Sequence, residues 1–109
     1  MNFEILRSER FSKHLKQLSK KYPSLKNDYV AFLESLQVTP LQGNPLGKNC
    51  YKVRLKITSK STGKSGGASN ITYVRIEKKK IVLMDIYDKA EKNNITDKEL
   101  LLLLNIIRE

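Results

Sequence analysis

The chain has one cysteine and one histidine, and the 42 residues from Ser35 to Ile76 contain no aspartate or glutamate. Each shortage excludes something. A lone Cys50 cannot form an internal disulfide, and inside an apolar strand pattern it reads as a buried thiol of a reducing compartment. No cluster of cysteine and histidine exists to hold a metal, and catalysis by a pair of histidines is ruled out. The single His14 falls in a helical pattern near Phe11 and Leu18, with no carboxylate or nucleophile evidently placed to work with it, so it reads as a surface or half-buried helical residue. The start, Met1-Asn2-Phe3-Glu4-Ile5, lacks a basic stretch followed by a long apolar run. Neither secretion nor a membrane span is expected, and the cytoplasm is the expected compartment. Gly63-Lys64-Ser65 has the ending of a phosphate-binding loop, but Thr58 stands where that pattern requires its first glycine. Nucleotide binding is rejected on that position, and no small-molecule cofactor is expected.

What the chain does have is positive charge. At 109 residues it is expected to form a single domain over positions 1–109, with a formal charge of +10 and a pI near 9.8. Such an excess favours nucleic acid, an anionic membrane or an acidic protein as partner. The acid-free window holds seven of the cations. Within it, Cys50-Tyr51-Lys52-Val53-Arg54-Leu55-Lys56-Ile57 alternates apolar and cationic, so a strand here lines Lys52, Arg54 and Lys56 along one face and Tyr51, Val53, Leu55 and Ile57 along the other. The three cations recur about every 7 Å, roughly the spacing of phosphates on an extended single strand. RNA or another polyanion is the first reading of the partner. The plainer reading is the solvated face of an antiparallel sheet.

Phe3-Glu4-Ile5-Leu6 reads as a first strand. Ser8 is a candidate N-cap for a helix with Phe11, Leu15 and Leu18 on one face, ending near Tyr22-Pro23. Ser24 can cap a second helix bearing Tyr29, Phe32, Leu33 and Leu36, broken by Thr39-Pro40. The segment 41–49, with Gly43, Pro45 and Gly47, reads as a loop feeding the basic strand. Residues 58–67 form a polar, cationic Gly/Ser connection, which reads either as a clamp on an anionic backbone or as a plain connector. Strands over Asn70–Glu77 and Ile81–Tyr87 make a hairpin, the second of them covered on both faces. Thr96 and Glu99 have capping-box spacing ahead of a helix over Leu100–Ile107 that is apolar almost all round. Tyr87-Asp88-Lys89-Ala90-Glu91 directly follows the most apolar strand, a rigid support for chemistry or an ordinary exposed loop.

Several strings, in this order of elements, resemble the RelE/ParE superfamily of toxins from bacterial toxin-antitoxin pairs, closest to its RelE and HigB-like branch. They are Phe11-Ser12-Lys13 with Leu15 and Leu18; Lys20-Lys21-Tyr22-Pro23-Ser24-Leu25; Gly47-Lys48-Asn49-Cys50-Tyr51-Lys52-Val53-Arg54; Gly63-Lys64-Ser65-Gly66-Gly67; and Ile86-Tyr87-Asp88-Lys89-Ala90-Glu91-Lys92-Asn93-Asn94-Ile95. The resemblance implies an α+β fold, an N-terminal helical hairpin packed on a small, mostly antiparallel four-stranded sheet with a C-terminal helix. It also implies messenger RNA cleavage on the ribosome, by attack of a ribose 2′-hydroxyl on the adjacent phosphate. On that basis Lys52 is the proton acceptor, Arg54 the phosphate stabiliser, Lys89 a second electrostatic group or proton donor, with Glu91 matching the same segment. Tyr87 stacks on a base or donates a hydrogen bond. Lys48, Lys56, Lys60, Lys64 and Arg75 are the candidate RNA contacts. The implied partners are a cognate antitoxin, the ribosome and its mRNA.

One departure stands out. The family pattern Gly-Gly-Ala-Arg-Val-Ile is Gly66-Gly67-Ala68-Ser69-Asn70-Ile71 here, so Ser69 replaces the arginine usually assigned to the phosphate and Asn70 replaces a core-type valine. The resemblance thus also admits an attenuated toxin, a ParE-like protein that poisons DNA gyrase without hydrolysis, and a catalytically silent module that binds RNA or an antitoxin.

Overall fold

Ser8 turns the chain from its first strand into its first helix, and its hydroxyl accepts the N–H of Phe11 at 3.0 Å, as an N-cap should. The computed structural model describes residues 2–59, 67–92 and 94–107. In chain order its elements are β1 (Glu4–Arg7), α1 (Glu9–Lys21), α2 (Leu25–Val38), β2 (Asn44–Gly47), β3 (Cys50–Lys56), β4 (Gly67–Arg75), β5 (Lys80–Asp88) and α3 (Asp97–Ile106). The strands form one sheet in the order β1-β5-β4-β3-β2. β1 runs parallel to β5, and the other neighbours are antiparallel.

The sheet has five strands where four are expected, because part of the 41–49 segment pairs as β2 along the edge of β3. Pro45 lacks an N–H, which an edge strand tolerates. Gly43 is required by geometry: its φ is +94° and a Cβ there would lie 2.4 Å from the Lys52 carbonyl oxygen. β4 also begins three residues before the expected Asn70, since Gly67, Ala68 and Ser69 pair with Lys56, Leu55 and Arg54.

The two faces are covered differently. The helical hairpin packs Phe11, Leu15, Leu18, Leu25, Phe32 and Leu36 against Val53, Leu55, Ile57, Ile81, Leu83 and Ile86. On the other face Leu100 and Leu103 of α3 pack on Cys50, Ile71, Val82 and Met84. β5 is therefore buried from both sides, as its apolar run implies. The capping box of α3 is complete, with Thr96 and Glu99 each accepting the other's backbone N–H. Only one stripe of α3 is covered: Leu101, Leu102 and Ile106 are exposed.

Ser24 departs from its expected capping role. Its hydroxyl donates to the Asp28 carboxylate at 2.8 Å and makes no cap to the helix N–H groups. The reason is Thr58, whose backbone N–H and hydroxyl also converge on Asp28 at 2.9 and 2.6 Å. Burial pushes the Asp28 carboxyl up, but these bonds and the nearby Lys56 charge leave it below its usual range.

The hairpin-facing line of β4 carries two polar residues, Asn70 and Thr72, both fully buried. The Asn70 amide reaches only the Val53 carbonyl, at 3.5 Å. Among the described residues its Oδ1 and the Thr72 hydroxyl have no hydrogen-bond partner.

Candidate functional site

Residues directly opposite one another in a sheet point to the same face. Arg54 pairs with Ser69 and Ser69 with Tyr87, so Arg54, Ser69 and Tyr87 form one row across β3, β4 and β5. On the same face Lys52 pairs with Ile71 and Lys56 with Gly67. The Lys89 N–H meets the Gly67 carbonyl at 3.3 Å, which sets the Lys89 backbone level with Lys56 at the end of the sheet. This is the face opposite the helical hairpin, beside the area that α3 covers. It is a trough with a cationic wall on β3, a floor of the small residues Gly67 and Ser69, and a second wall at Tyr87. Two strand spacings put the walls about 10 Å apart.

The floor is shaped by what it lacks. A Cβ on Gly67 would stand 3.3 Å from Cγ of Arg54 and 2.8 Å from the Leu55 carbonyl oxygen. Glycine there lets the Arg54 stem lie over the floor. Lys52 reaches the other way, donating to Oδ1 of Asn94 at 2.9 Å, which ties the segment before α3 to the cationic wall.

Tyr87 keeps its proton strongly. Burial raises its phenol above the ordinary value; the Ser69 hydroxyl and the Lys92 charge pull the other way, and Asp85 and Glu99 add to the rise. Ser69 is the nearby polar group, yet the phenol oxygen closes no well-formed hydrogen bond. The phenol therefore stays neutral near pH 7, with its O–H proton retained. Its ring carries the Lys92 ammonium 5.1 Å from the centroid, and that ammonium is also paired with Glu99 of α3. The hydrogen bond from Lys92, then the backbone N–H of Thr96, bring the Glu99 carboxyl down to about 2.

No protein-family model and no curated protein sequence matches the chain. Solved structures do. A mutant of the E. coli toxin RelE in the free state superposes with a TM-score of 0.64 at 15% identity, over 98% of this chain and 99% of that one. The chain has the RelE fold. Two further structures share it less closely: the intact E. coli RelBE toxin-antitoxin complex, with a TM-score of 0.47 at 26% identity over 79% of this chain and 95% of that one, and the isolated E. coli RelE toxin, with a TM-score of 0.47 at 23% identity over 96% and 99%.

On this RelE-like frame the residues singled out by sequence separate into groups. Lys52, Arg54, Lys56 and Tyr87 share the trough, with Lys89 at its end. Glu91 lines a groove between α1 and the end of β5, with His14, Gln17 and Lys21 on one side and Tyr87 and Lys92 on the other. Lys48 sits in the tight β2–β3 turn, at φ 54°, about four residues or 13 Å from Lys52 along the strand. Arg75 lies at the far end of β4, about 20 Å from Ser69, where its guanidinium is bonded to Glu77 and Tyr73. Lys60 and Lys64 lie outside the described residues.

His14 has a carboxylate partner after all. Its Nδ1 lies 2.6 Å from Asp85, which also accepts from Arg10 at 3.1 Å and from the Ile86 N–H at 2.8 Å. The cause is a register shift between β4 and β5: Ile71 pairs with Asp85 and Thr72 with Leu83. Bulges of this kind re-aim a side chain, and α1 lies beside the stretch of β5 that β1 leaves unpaired. An aspartate inside the apolar run Ile81–Ile86 was the available signal, since a buried carboxylate demands partners. Lys92, Asn94 and Glu99 were also missed as neighbours of the site. Seven positions separate Lys92 from Glu99, and only the start of α3 brings them together.

Proposed function

We propose that the protein is a toxin of a toxin-antitoxin pair that cleaves messenger RNA on the ribosome. The observation that carries this reading is the trough, with cations repeating at phosphate spacing on one wall and a proton-retaining phenol facing them across a floor of small side chains. The RelE fold supports it independently of the charge pattern.

The reaction needs a group to take the 2′-hydroxyl proton, positive charge for the crowded phosphorane and a donor for the departing 5′ oxygen. In this reading Lys52, which also bonds to Asn94, takes the proton. Arg54 offers a planar fork of donors to the non-bridging oxygens. Tyr87, neutral as a tyrosine is near pH 7, supplies the donor in this reading, and Lys89 adds charge at the trough's end. A single-stranded message must enter the trough with its backbone along β3. The basic surface also suits an antitoxin with an acidic segment, which holds the toxin silent in the cytoplasm.

Induced expression followed by mapping of RNA ends tests the reading. New message ends inside translated regions, absent in a Lys52→Ala/Arg54→Ala variant, are expected. Intact messages with broken chromosomal DNA would replace it with gyrase poisoning, and wild type behaving like the double variant would leave a silent binding module.

A further inference from the structure

Phosphates lying along β3 direct the bases of a bound strand across the floor of the trough, toward Tyr87. What stands behind that wall decides what a base meets. β1 stops pairing at Leu83, so the last part of β5 has an open edge, and the groove between α1 and the end of β5 lies along it. Tyr87 borders both the trough and this groove. The groove encloses about 410 Å³, a volume typical of small-ligand sites and sufficient for one nucleobase.

Its lining suits both surfaces of a base. The buried side chains of Leu18 and Ile86 give an apolar floor for a ring face. Groups for a ring edge come from His14 and Gln17, three positions apart and so on one face of α1, and from Glu91 after β5. Among the described residues neither the Gln17 amide nor the Glu91 carboxylate has a hydrogen-bond partner. The two lysines of the groove are engaged elsewhere: Lys21 lies over the Tyr22 ring, 5.5 Å from its centroid, and Lys92 is paired with Glu99. His14 is the most constrained member. Its Nδ1 lies 2.6 Å from Asp85, whose carboxylate is 5% exposed and is also held by Arg10 and the Ile86 N–H. An ionised carboxylate only accepts, so Nδ1 carries the hydrogen, and in the neutral ring Nε2 is the acceptor that His14 offers to the groove.

An imidazole acceptor, a carboxylate and an amide together complement a base edge that bears an amino group. Glutamine matches N6 and N7 of adenine with two bonds, and a carboxylate accepts from N4 of cytosine. Uracil presents an oxygen where cytosine presents that amine, setting acceptor against acceptor. We propose that this groove binds one base of the message beside the scissile phosphate and selects bases with an exocyclic amine, His14 and Gln17 reading that edge. The proposal rests on the RNA-cleaving reading and locates the sequence preference of the cut.

The test is single-turnover cleavage of short messages on programmed ribosomes, identical except for cytosine or uracil at each position flanking the cut. Wild type, Gln17→Ala, His14→Phe and Lys52→Ala/Arg54→Ala are compared, and the same fragments are titrated for binding without ribosomes. Wild type is expected to cut the cytosine message about tenfold faster at one flanking position, the low end of what one good base contact contributes. Gln17 is exposed on α1, where alanine suits the helix, and His14→Phe keeps a ring but no nitrogen. Each should bring the ratio toward one and leave the uracil message cut at the wild-type rate. The double variant should stop cleavage and keep the preference in binding. Equal rates for cytosine and uracil at every flanking position overturn the inference and leave the RNA-cleaving reading intact. A ratio that survives both Gln17→Ala and His14→Phe assigns the preference to the ribosome or the trough, and also overturns it. So does a variant that slows both messages alike, since the groove then aligns the strand without reading it. If wild type does not cleave, the RNA-cleaving reading fails, and fragment binding decides for the groove: cytosine and uracil fragments bound equally, or a difference untouched by Gln17→Ala, overturn the inference.

Discussion

Replacing Asn70 by valine should make this protein more stable. The Asn70 side chain is fully buried, its Oδ1 has no partner among the described residues, and its amide makes one bond at the 3.5 Å limit. A buried polar atom left unsatisfied costs about 1–3 kcal/mol, and a hydrogen bond at the edge of acceptable geometry contributes less than the ordinary ~1 kcal/mol. Valine removes both, adds apolar contact with the hairpin-facing core and suits a strand. The net gain is about 1–2 kcal/mol. For a domain near 100 residues each kcal/mol moves the melting midpoint by roughly 4–8 °C, so a rise of about 5–15 °C is expected. Urea unfolding should show a higher midpoint at unchanged m, the mark of altered stability and not of an altered denatured state. RNA cleavage should not change, because Asn70 faces the hairpin and the trough lies on the reverse face. A midpoint that stays put or falls at constant m would show that Oδ1 is satisfied in solution and that the orphaned-amide argument is wrong.

Ser69→Arg places a guanidinium on the trough floor between Arg54 and Tyr87, and cleavage in a ribosome assay should rise at least about tenfold, a fraction of what one charged transition-state contact contributes; an unchanged rate dismisses the attenuation idea. Asp85→Ala strips Arg10, His14 and the Ile86 N–H of their common acceptor and should cost about 2–3 kcal/mol in urea unfolding, whereas His14→Ala, which leaves Arg10 in place, should cost about 1 kcal/mol. Glu99 should titrate near pH 2 when its carboxyl is followed by NMR. Because its folded value is depressed, the stabilisation it gives is complete above the ordinary carboxylate range and fades as pH falls from about 4.5 toward 2; in Lys92→Gln the midpoint should move upward, and a midpoint unmoved by that change would mean the ion pair does not form.

The parts of the fold legible in the sequence were those where one physical signal dominated. Phe11, Leu15 and Leu18 mark α1 by period alone, and the alternation around Lys52 to Lys56 sorts β3 into a cationic and an apolar face. The Thr96–Glu99 pair gives the start of α3. β2 escaped because Gly43, Pro45 and Gly47 are turn formers, and pairing with β3 overrides local preference. The early start of β4 escaped for a similar reason: Gly67-Ala68-Ser69 has little strand propensity but lies opposite a strong strand. At the site, the β3 cations were visible because their pattern is local. Lys92, Asn94 and the Asp85 partners of α1 were not, since each depends on long-range contacts or on a bulge that no local period encodes.

Glu99 ties the start of α3 to the charge beside Tyr87. The same carboxylate that starts α3 also neutralises Lys92 above Tyr87. Lifting α3 from the sheet would therefore do more than uncover Met84 and Val82; it would release the ammonium and change the local charge by one unit. Whatever grips the exposed leucines of that helix has a mechanical handle on the electrostatics of the trough, without touching the trough itself.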